Sequence, residues 1–403
     1  MRMSSFDRFS TSVDSLQRRQ QELSRTQEQM TSGKRIDLPS DDPAALARAE
    51  RAYASQQRIG TQQRSIDASR TAMTLAESTL GQANDVLQAA REMVVSAGNG
   101  TYTQVERQSQ VAELRNYREQ LLGLANQSDG GSGFIFGGQG ATSAPFLDQP
   151  GGVVSVNTAG QLQLSGSEVM PTTLDGRQVW LAVPSGNGVF VTAPDADNNT
   201  GTGWITPGSV ANPAALTGSS YEIVFSSVGD ETVYTVMRDG TPTTLTDQPY
   251  RSGGAIEIDG QSVTINGDPA EGDRFTLDPS TRSLDIFEAL DRLIGALGGT
   301  RDSDETGGAK IMQAVNSGLR DVDAVIRHVQ ATRAQAGAML TRLDAMDERA
   351  ADRKLAAVTV QSDAEDVDMV ESISAFQSQQ TGYQAALQSY ASVQRMSLFD
   401  YLK

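Results

Sequence analysis

The sequence predicts an α+β protein in which both ends form a long antiparallel helical rod and the middle forms an inserted antiparallel β domain. Eleven of the thirteen prolines and both tryptophans lie between Gly130 and Arg282. Because proline and glycine break helices, this middle region cannot be one long helix. The flanks instead carry apolar residues at intervals of three, four and seven, which is the spacing of a helical seam.

The first helix is predicted from a seam that is polar in alternate layers. Gln20 and Gln27 interrupt it, and Ser32-Gly33 ends it. Asp41 and Asp42 precede Pro43, the pattern of an acidic N-cap followed by proline in the first turn of a second helix. The apolar seam positions are Phe6, Phe9, Val13, Leu16, Leu23 and Met30.

The second helix is predicted from a sustained seven-residue repeat. Alanine follows three residues after each of the last four repeat positions, which favours close packing against partner helices. At about 1.5 Å per residue, Ala44 to Ala97 would span roughly 80 Å. The repeat positions, which we expect to form the core of the rod, are Ile59, Ile66, Met73, Leu80, Leu87 and Val94.

The C-terminal flank mirrors the N-terminal one. We expect its last helix to pair with the first, and the aromatic residues that such a pair leaves uncovered to contact further partners. The predicted core positions of the returning helix are Leu319, Val322, Ile326, Val329, Leu340 and Leu343. The predicted terminal seam positions are Met369, Ile373, Phe376, Tyr383, Leu387, Tyr390, Leu398, Phe399 and Tyr401.

The middle is predicted as antiparallel β structure because it contains short, β-branched, partly alternating runs that end in turn dipeptides. These runs are 221–225, 232–237, 255–258 and 262–265. The predicted segments are the N-terminal helix and loop (1–42), the first half of the rod (43–130), the β insert (131–282), the second half of the rod (283–362) and the C-terminal helix (363–403).

Composition excludes several classes of function. The chain has 403 residues with a net charge of −17, no cysteine and one histidine, His328. This acidity disfavours nucleic acid and anionic membranes as partners, and the missing cysteines remove thiolate metal sites and cysteine nucleophiles. The sequence contains no run of about 18 apolar residues, so we expect no transmembrane helix. Much conventional enzymology is excluded by this composition, at most one histidine-based acid/base centre remains, and we expect no cofactor and no metal site.

Two polar segments contain residue types that can bind metal ions. Asp195 to Asn199 alternates carboxylate and amide side chains like a calcium loop, but Thr200 and Thr206 stand where such a loop needs glycine and glutamate. A polar turn is favoured. The acidic cluster at 363–368 is interpreted as capping the last helix, since acids are stabilising near a helix N-terminus.

Several motifs resemble the flagellin family. Met30-Thr-Ser-Gly-Lys-Arg-Ile36, followed by Ser40-Asp-Asp-Pro-Ala-Ala-Leu46, is similar to the family's N-terminal signature. The turn Phe134-Ile-Phe-Gly-Gly138, the segment Pro269 to Phe275 and the ending Ser397-Leu-Phe-Asp-Tyr-Leu402 are closer to the hook-associated members than to flagellin. The resemblance covers both flanks, about 250 residues, and only patches of the middle.

The resemblance implies a non-enzymatic adaptor that joins the hook-associated region to the filament. It implies export to the extracellular flagellum without a cleaved signal, and assembly with identical subunits, with hook-associated protein 1 on the hook side and with flagellin on the filament side. An export chaperone is expected on the C-terminal helix before secretion.

Two alternatives stay open at this point. One is a filament subunit, flagellin itself. The other is a rod that carries a glycan-binding or hydrolytic β module, in which Trp180 or Trp204 stacks on a sugar, although a place in the core is favoured for both tryptophans.

Overall fold

The computed structural model describes residues 5–36, 38–99, 102–131, 133–138, 141, 143–150, 152–156, 161–163, 169–171, 174–196, 198–300 and 306–400. The helices are α1 (Ser5–Ser32), α2 (Pro43–Ala97), α3 (Gln104–Ala125), α4 (Gly176–Trp180), α5 (Ile286–Gly299), α6 (Gly307–Glu365) and α7 (Met369–Asp400). Long helices therefore occupy both flanks, and the predicted α+β class is confirmed.

The strands lie between α3 and α5, all paired antiparallel. They are β1 (Phe146–Gln149), β2 (Gly152–Ser155), β3 (Gln161–Gln163), β4 (Val169–Pro171), β5 (Phe190–Pro194), β6 (Trp204–Ile205), β7 (Ser209–Val210), β8 (Tyr221–Val228), β9 (Glu231–Arg238), β10 (Thr241–Pro242), β11 (Gln248–Pro249), β12 (Ala255–Ile258), β13 (Gln261–Asn266) and β14 (Arg274–Pro279).

The described chain divides into two compact units, one formed by residues 1–64 and 345–403 and the other by residues 65–344. The division falls inside α2 and α6, whereas the predicted segments 1–42, 43–130, 131–282, 283–362 and 363–403 place their limits near loops. Those segment limits stay predictions.

The helical part of the 65–344 unit is built around the seven-residue repeat of α2. Five of the predicted positions are at most 1% exposed, and the alanines that follow them are equally buried. Ion pairs tie α2 to the antiparallel α6: Arg91 to Asp323 at 2.6 Å and Arg333 to Glu77 at 2.6 Å. The buried repeat positions in this unit are Ile66, Met73, Leu80, Leu87 and Val94.

The predicted core positions of α6 in this unit are mostly enclosed. Val322, Ile326, Val329 and Leu343 are at most 6% exposed, while Leu319 and Leu340 are half-buried. Leu319 packs at the edge of a cluster that α2, α3 and α5 share with α6. This cluster needs α5, a helix that the sequence analysis did not identify.

The β part contains a six-stranded sheet, ordered β10-β9-β8-β14-β5 with β11 also on β9, and a four-stranded sheet in which β13 pairs with β12, β6 and β7. The four predicted runs correspond to β8, β9, β12 and β13. Asp259 and Gly260, with φ of 43° and 82°, form the tight turn between β12 and β13. Two consecutive positive φ angles match the twist of a two-residue hairpin. The hairpin that Asp259-Gly260 predicts is therefore present.

Aromatic rings fill the space beneath the larger sheet. Phe225 meets Phe275 and Tyr250 edge to face, at centroid distances of 5.9 and 5.1 Å, and is 1% exposed. Edge-to-face pairs add to the free energy gained by burying the rings.

Trp180 belongs to the core of the 65–344 unit. Its ring is fully buried, edge-on to Phe136 at 5.4 Å and stacked with Phe287 at 6.2 Å. A buried indole cannot stack on a sugar, so Trp180 does not support the glycan-binding alternative. Trp204 lies half-buried in β6.

Arg118 of α3 joins three elements. It donates to both carboxylate oxygens of Asp148 in β1, at 2.7 and 3.0 Å, its Nε lies 2.7 Å from Asp291 of α5, and its guanidinium lies over the Phe287 ring. The hydrogen bonds from Arg118 lower the pKa of the Asp148 carboxyl. Arg118 therefore anchors the β1–β2 hairpin to the helices.

Phe225→Ala should destabilise the 65–344 unit by about 3–5 kcal/mol, because it leaves a cavity among packed rings. Val228→Ala, at a position 58% exposed, is the control and should change the free energy of unfolding by less than about 0.5 kcal/mol. Denaturant unfolding followed by tryptophan fluorescence measures both. Equal losses in the two variants would contradict the described core.

Arg118→Met should lower stability by about 1–2 kcal/mol at neutral pH, since both carboxylates are more than a third exposed and stay hydrated. The lowered pKa of Asp148 means that the stabilisation is complete above the unfolded pKa, about 3.9, and is lost as pH falls through the folded pKa. The difference from wild type should therefore shrink below about pH 4. A difference that persists unchanged at pH 2 would count against the ion pair.

Candidate assembly interface

The first and last helices pack along one another in the unit formed by the chain ends. Thr26 of α1 donates a hydrogen bond to Gln379 Oε1 of α7 at 2.9 Å, and the guanidinium of Arg19 lies against Gly382. Arg19 precedes Thr26 in α1, whereas its contact Gly382 follows Gln379 in α7. The two helices therefore run antiparallel. This is the pairing that the two seams predict.

The paired helices cover little of their own apolar surface. Among residues 10–32 and 369–392, whose side chains the structure describes, only Thr26 and Ser372 are buried. Met369, Ile373 and Leu387 are 44%, 42% and 41% exposed. The remaining described seam residues are half-buried, namely Val13, Leu16, Leu23, Met30, Phe376, Tyr383 and Tyr390.

Five predicted seam residues are not covered by this description. The side chains of Phe6, Phe9, Leu398 and Phe399 and the whole of Tyr401 lie outside the described part of the chain. The role of every seam residue in assembly stays a prediction.

The loop after α1 is docked on the end of α6. Gly33 has a φ of 72°, a left-handed conformation that favours glycine, and its carbonyl accepts a hydrogen bond from Val367 N–H at 3.0 Å. Arg35 N–H donates to the carbonyl of Glu365 at 2.6 Å, and Arg35 Nη2 donates to the carbonyl of Ala364 at 2.8 Å. The Ser-Gly-Lys-Arg-Ile segment thus satisfies carbonyls at the C-terminus of α6.

The acidic cluster around the α6–α7 junction serves this same loop. Lys34 Nζ lies 3.4 Å from Glu365, so a base in the loop after α1 meets an acid that ends α6. Asp368 caps α7 by accepting the backbone N–H groups of Val370 and Glu371 at 2.9 and 3.1 Å. The cluster is therefore divided between a loop contact and a helix cap.

The parts of α2 and α6 in this unit also form a two-helix pair. Ile59, predicted as a core position, is 7% exposed, and Gln56 Nε2 donates to Gln361 Oε1 at 2.6 Å. Outside this contact, Leu355 of α6 is 66% exposed and Tyr53 of α2 is 50% exposed. This pair, like α1 and α7, leaves apolar surface open.

His328 and Asp195 each have a nearby hydrogen-bond partner. His328 Nε2 lies 2.9 Å from the carbonyl of Gln178, and Asp195 accepts both of its side-chain contacts from Asn198 Nδ2. Within the described residues, no three His, Cys, Asp or Glu side chains are grouped to hold a metal ion. No described helix is long and apolar enough to cross a membrane.

Family models match both flanks and part of the β region. The model of the bacterial flagellin N-terminal helical region matches residues 10–141, and that of the C-terminal helical region matches residues 319–402. A third, described as a D2-like domain of flagellar hook-associated protein 1, matches residues 194–279. Together with the paired terminal helices, these matches show that the chain belongs to the flagellin family.

Within that family, the chain is similar over its whole length to flagellar hook-associated protein 3. It is 26% identical to that protein of Escherichia coli K12 over 100% of both chains, and 24% identical to that of Salmonella typhimurium over 99% of both. Solved structures agree in fold. A hook-associated protein 3 from Legionella pneumophila gives a TM-score of 0.72 at 24% identity, covering 78% of this chain and 98% of that one. Xanthomonas campestris FlgL gives 0.69 at 25% identity, covering 78% and 99%.

Arg35→Ala should loosen the docked loop, because it removes the side-chain hydrogen bond to the Ala364 carbonyl. We expect amide exchange at 33–36 and 364–368 to accelerate by about tenfold, the equivalent of one charge-assisted hydrogen bond. Arg48→Ala, at an exposed position on α2, is the matched control and should leave these amides unchanged. Unaltered exchange in Arg35→Ala would show that the loop is held by other contacts.

Proposed function

We propose that this chain is the structural adaptor of the bacterial flagellum that joins the hook-associated region to the flagellin filament by helical self-assembly. The observation that carries the proposal is the open seam of the terminal helices, in a chain whose full length matches hook-associated protein 3. An apolar helix face left uncovered within one copy is stabilised when other copies cover it.

Self-assembly follows from the asymmetry of this surface. The uncovered residues of α1 and α7 differ, so we propose that each copy presents one face to one neighbour and the other face to the next. Such heterologous contacts generate rings when the rotation closes and helical tubes when it does not. The adaptor works by packing, and no step requires a catalytic group.

The two neighbours that we propose follow from the distribution of similarity. The helical flanks match the flagellin models, while residues 194–279 match the D2-like domain of hook-associated protein 1. A chain with features of both fits a position between them, with hook-associated protein 1 on the hook side and flagellin on the filament side. Before export, we propose that a chaperone covers the open face of α7.

We further infer that the chain reaches the extracellular flagellum by the flagellar export route, without a cleaved signal. A chain that is transported unfolded benefits from having no cysteine to cross-link on the way, and this sequence has none.

The filament-subunit alternative has weaker support. The Borreliella burgdorferi flagellar filament 41 kDa core protein is 26% identical over 157 residues, which is 39% of this chain. Hook-associated protein 3, by comparison, matches from end to end. The glycan module is disfavoured by the burial of Trp180.

Removing the gene from the bacterium that encodes it should leave hooks intact, abolish filaments and release flagellin into the medium. Electron microscopy and an immunoblot of the medium measure these outcomes. The full chain supplied from a plasmid should restore filaments, and a chain lacking residues 369–403 should not, because α1 then has no partner helix. Normal filaments in the deletion strain would refute the proposed function.

A further inference from the structure

The two-helix pair formed by residues 43–64 of α2 and 345–365 of α6 carries opposite charges on its two outer sides. Over 43–64, α2 has four arginines and one acid, Glu50. Over 345–366, α6 has six acids and three bases. Within this pair, basic residues therefore predominate on α2 and acidic residues on α6.

The acids of α6 project away from α2. Met346, Ala350 and Ala364 are the buried positions of α6 in this unit. At 100° per residue, the far side lies about 140–220° from Ala350, and the exposed residues there include, besides Thr359, Glu348, Asp352, Leu355 and Asp363. We call these last four residues the acidic face.

The bases of α6 do not balance the acidic face. Arg353 reaches back to α2, where its Nη2 lies 3.5 Å from Gln62 Oε1. Among the described residues, none forms an ion pair with Glu348, Asp352 or Asp363, and Leu355 at the middle of the face is 66% exposed.

On α2, Arg51 and Arg58 lie one heptad apart on the flank that turns away from α6, about 100–120° from the buried Ala52. Both side chains are exposed, and the one contact of Arg51 is with the carbonyl of Ala47 in its own helix, at 2.9 Å. No described carboxylate pairs with either of them. We call these two residues the arginine face.

The two faces overlap in height along the pair, with the acidic face offset towards one end. Gln56 and Gln361 are in contact and define a common level. Arg51 lies five residues from it, about 7.5 Å, and Asp363 lies two residues from it in the same direction, about 3 Å. Arg51 and Asp363 therefore differ in height by about 4.5 Å, although they belong to opposite sides of the pair. On the other side of the common level, Arg58 lies two residues from it, about 3 Å, and Asp352 lies nine residues from it, about 13.5 Å, so these two charges differ by about 10.5 Å. In both cases the acid lies lower than the arginine.

We propose that the acidic face of one copy docks on the arginine face of a second copy, so that copies associate side by side in the assembled layer. Arg51 meets Asp363 and Arg58 meets Asp352, while Leu355 is covered between them. Identical copies standing side by side in the same orientation, with an axial shift of about 7.5 Å between neighbours, bring both pairs to within about 3 Å in height. The proposal rests on the proposed function, since it names the lateral contact of that assembly.

Charge reversal followed by charge exchange tests this contact in the full chain, expressed in the deletion strain. R51E/R58E and D352R/D363R should each lower the number of filament-bearing cells by at least about tenfold, because like charges then face each other. The four substitutions together should restore it to within about twofold of wild type, because the pairs are re-formed with reversed sign.

The matched control is E257R/R282E, which reverses two exposed charges in the 65–344 unit and should leave filaments normal. Circular dichroism of the purified variants checks that they fold. If both reversals keep wild-type filaments, or if the combined variant is as defective as either one, the proposed contact is wrong. If even the unmodified chain fails to restore filaments, the proposed function itself is wrong.

A cross-link provides a second readout that does not depend on the reversals. Because the chain has no cysteine, R51C/D363C introduces the only two thiols. A bifunctional maleimide, whose spacer bridges the gap that the arginine side chain spans, should give a ladder of linked copies from flagella of the double variant and none from either single variant. A double variant that assembles but yields no linked copies would overturn the proposal.

Discussion

The terminal helices cannot bury their apolar faces within one copy of the chain, and most of what the molecule does follows from this constraint. Along α1 and α7 the described buried side chains are those of Thr26 and Ser372, which are polar and small. By contrast, Ile66 to Val94 form a row of enclosed side chains in the 65–344 unit. One unit is thus stable through its own core, while the other gains stability from neighbours.

The charge of the chain is distributed in agreement with this division. Residues 65–344 carry 17 Lys and Arg against 33 Asp and Glu, whereas residues 1–64 and 345–403 carry 16 against 17. The net charge of −17 therefore belongs almost entirely to one unit. Near neutrality lets many copies of the other unit pack closely without mutual repulsion, and it allows charges sorted on opposite sides to direct the contact.

Periodicity predicts the long helices because α2 repeats every seven residues for several turns. Short alternating runs that end in turn dipeptides predict β8, β9, β12 and β13, and Asp259-Gly260 forms the hairpin turn between the last two. Periodicity does not predict α5. A core position is favoured for Trp180 from the sequence, but its ring partners Phe136 and Phe287 come from distant parts of the chain and are not predicted. The docking of the loop after α1 on the end of α6 is not predicted either. Its Arg35 finds the Ala364 carbonyl 329 residues away, and nothing local in the sequence encodes that partner.

Amide exchange, measured on the isolated chain and on assembled flagella, tests the dependence on neighbours most directly. In the isolated chain, α1 and α7 should exchange at least about a hundredfold faster than Ile66 to Val94 of α2, and assembly should remove most of that difference. Strong protection of both terminal helices in a monodisperse monomer, equal to that of the α2 core, would contradict the account.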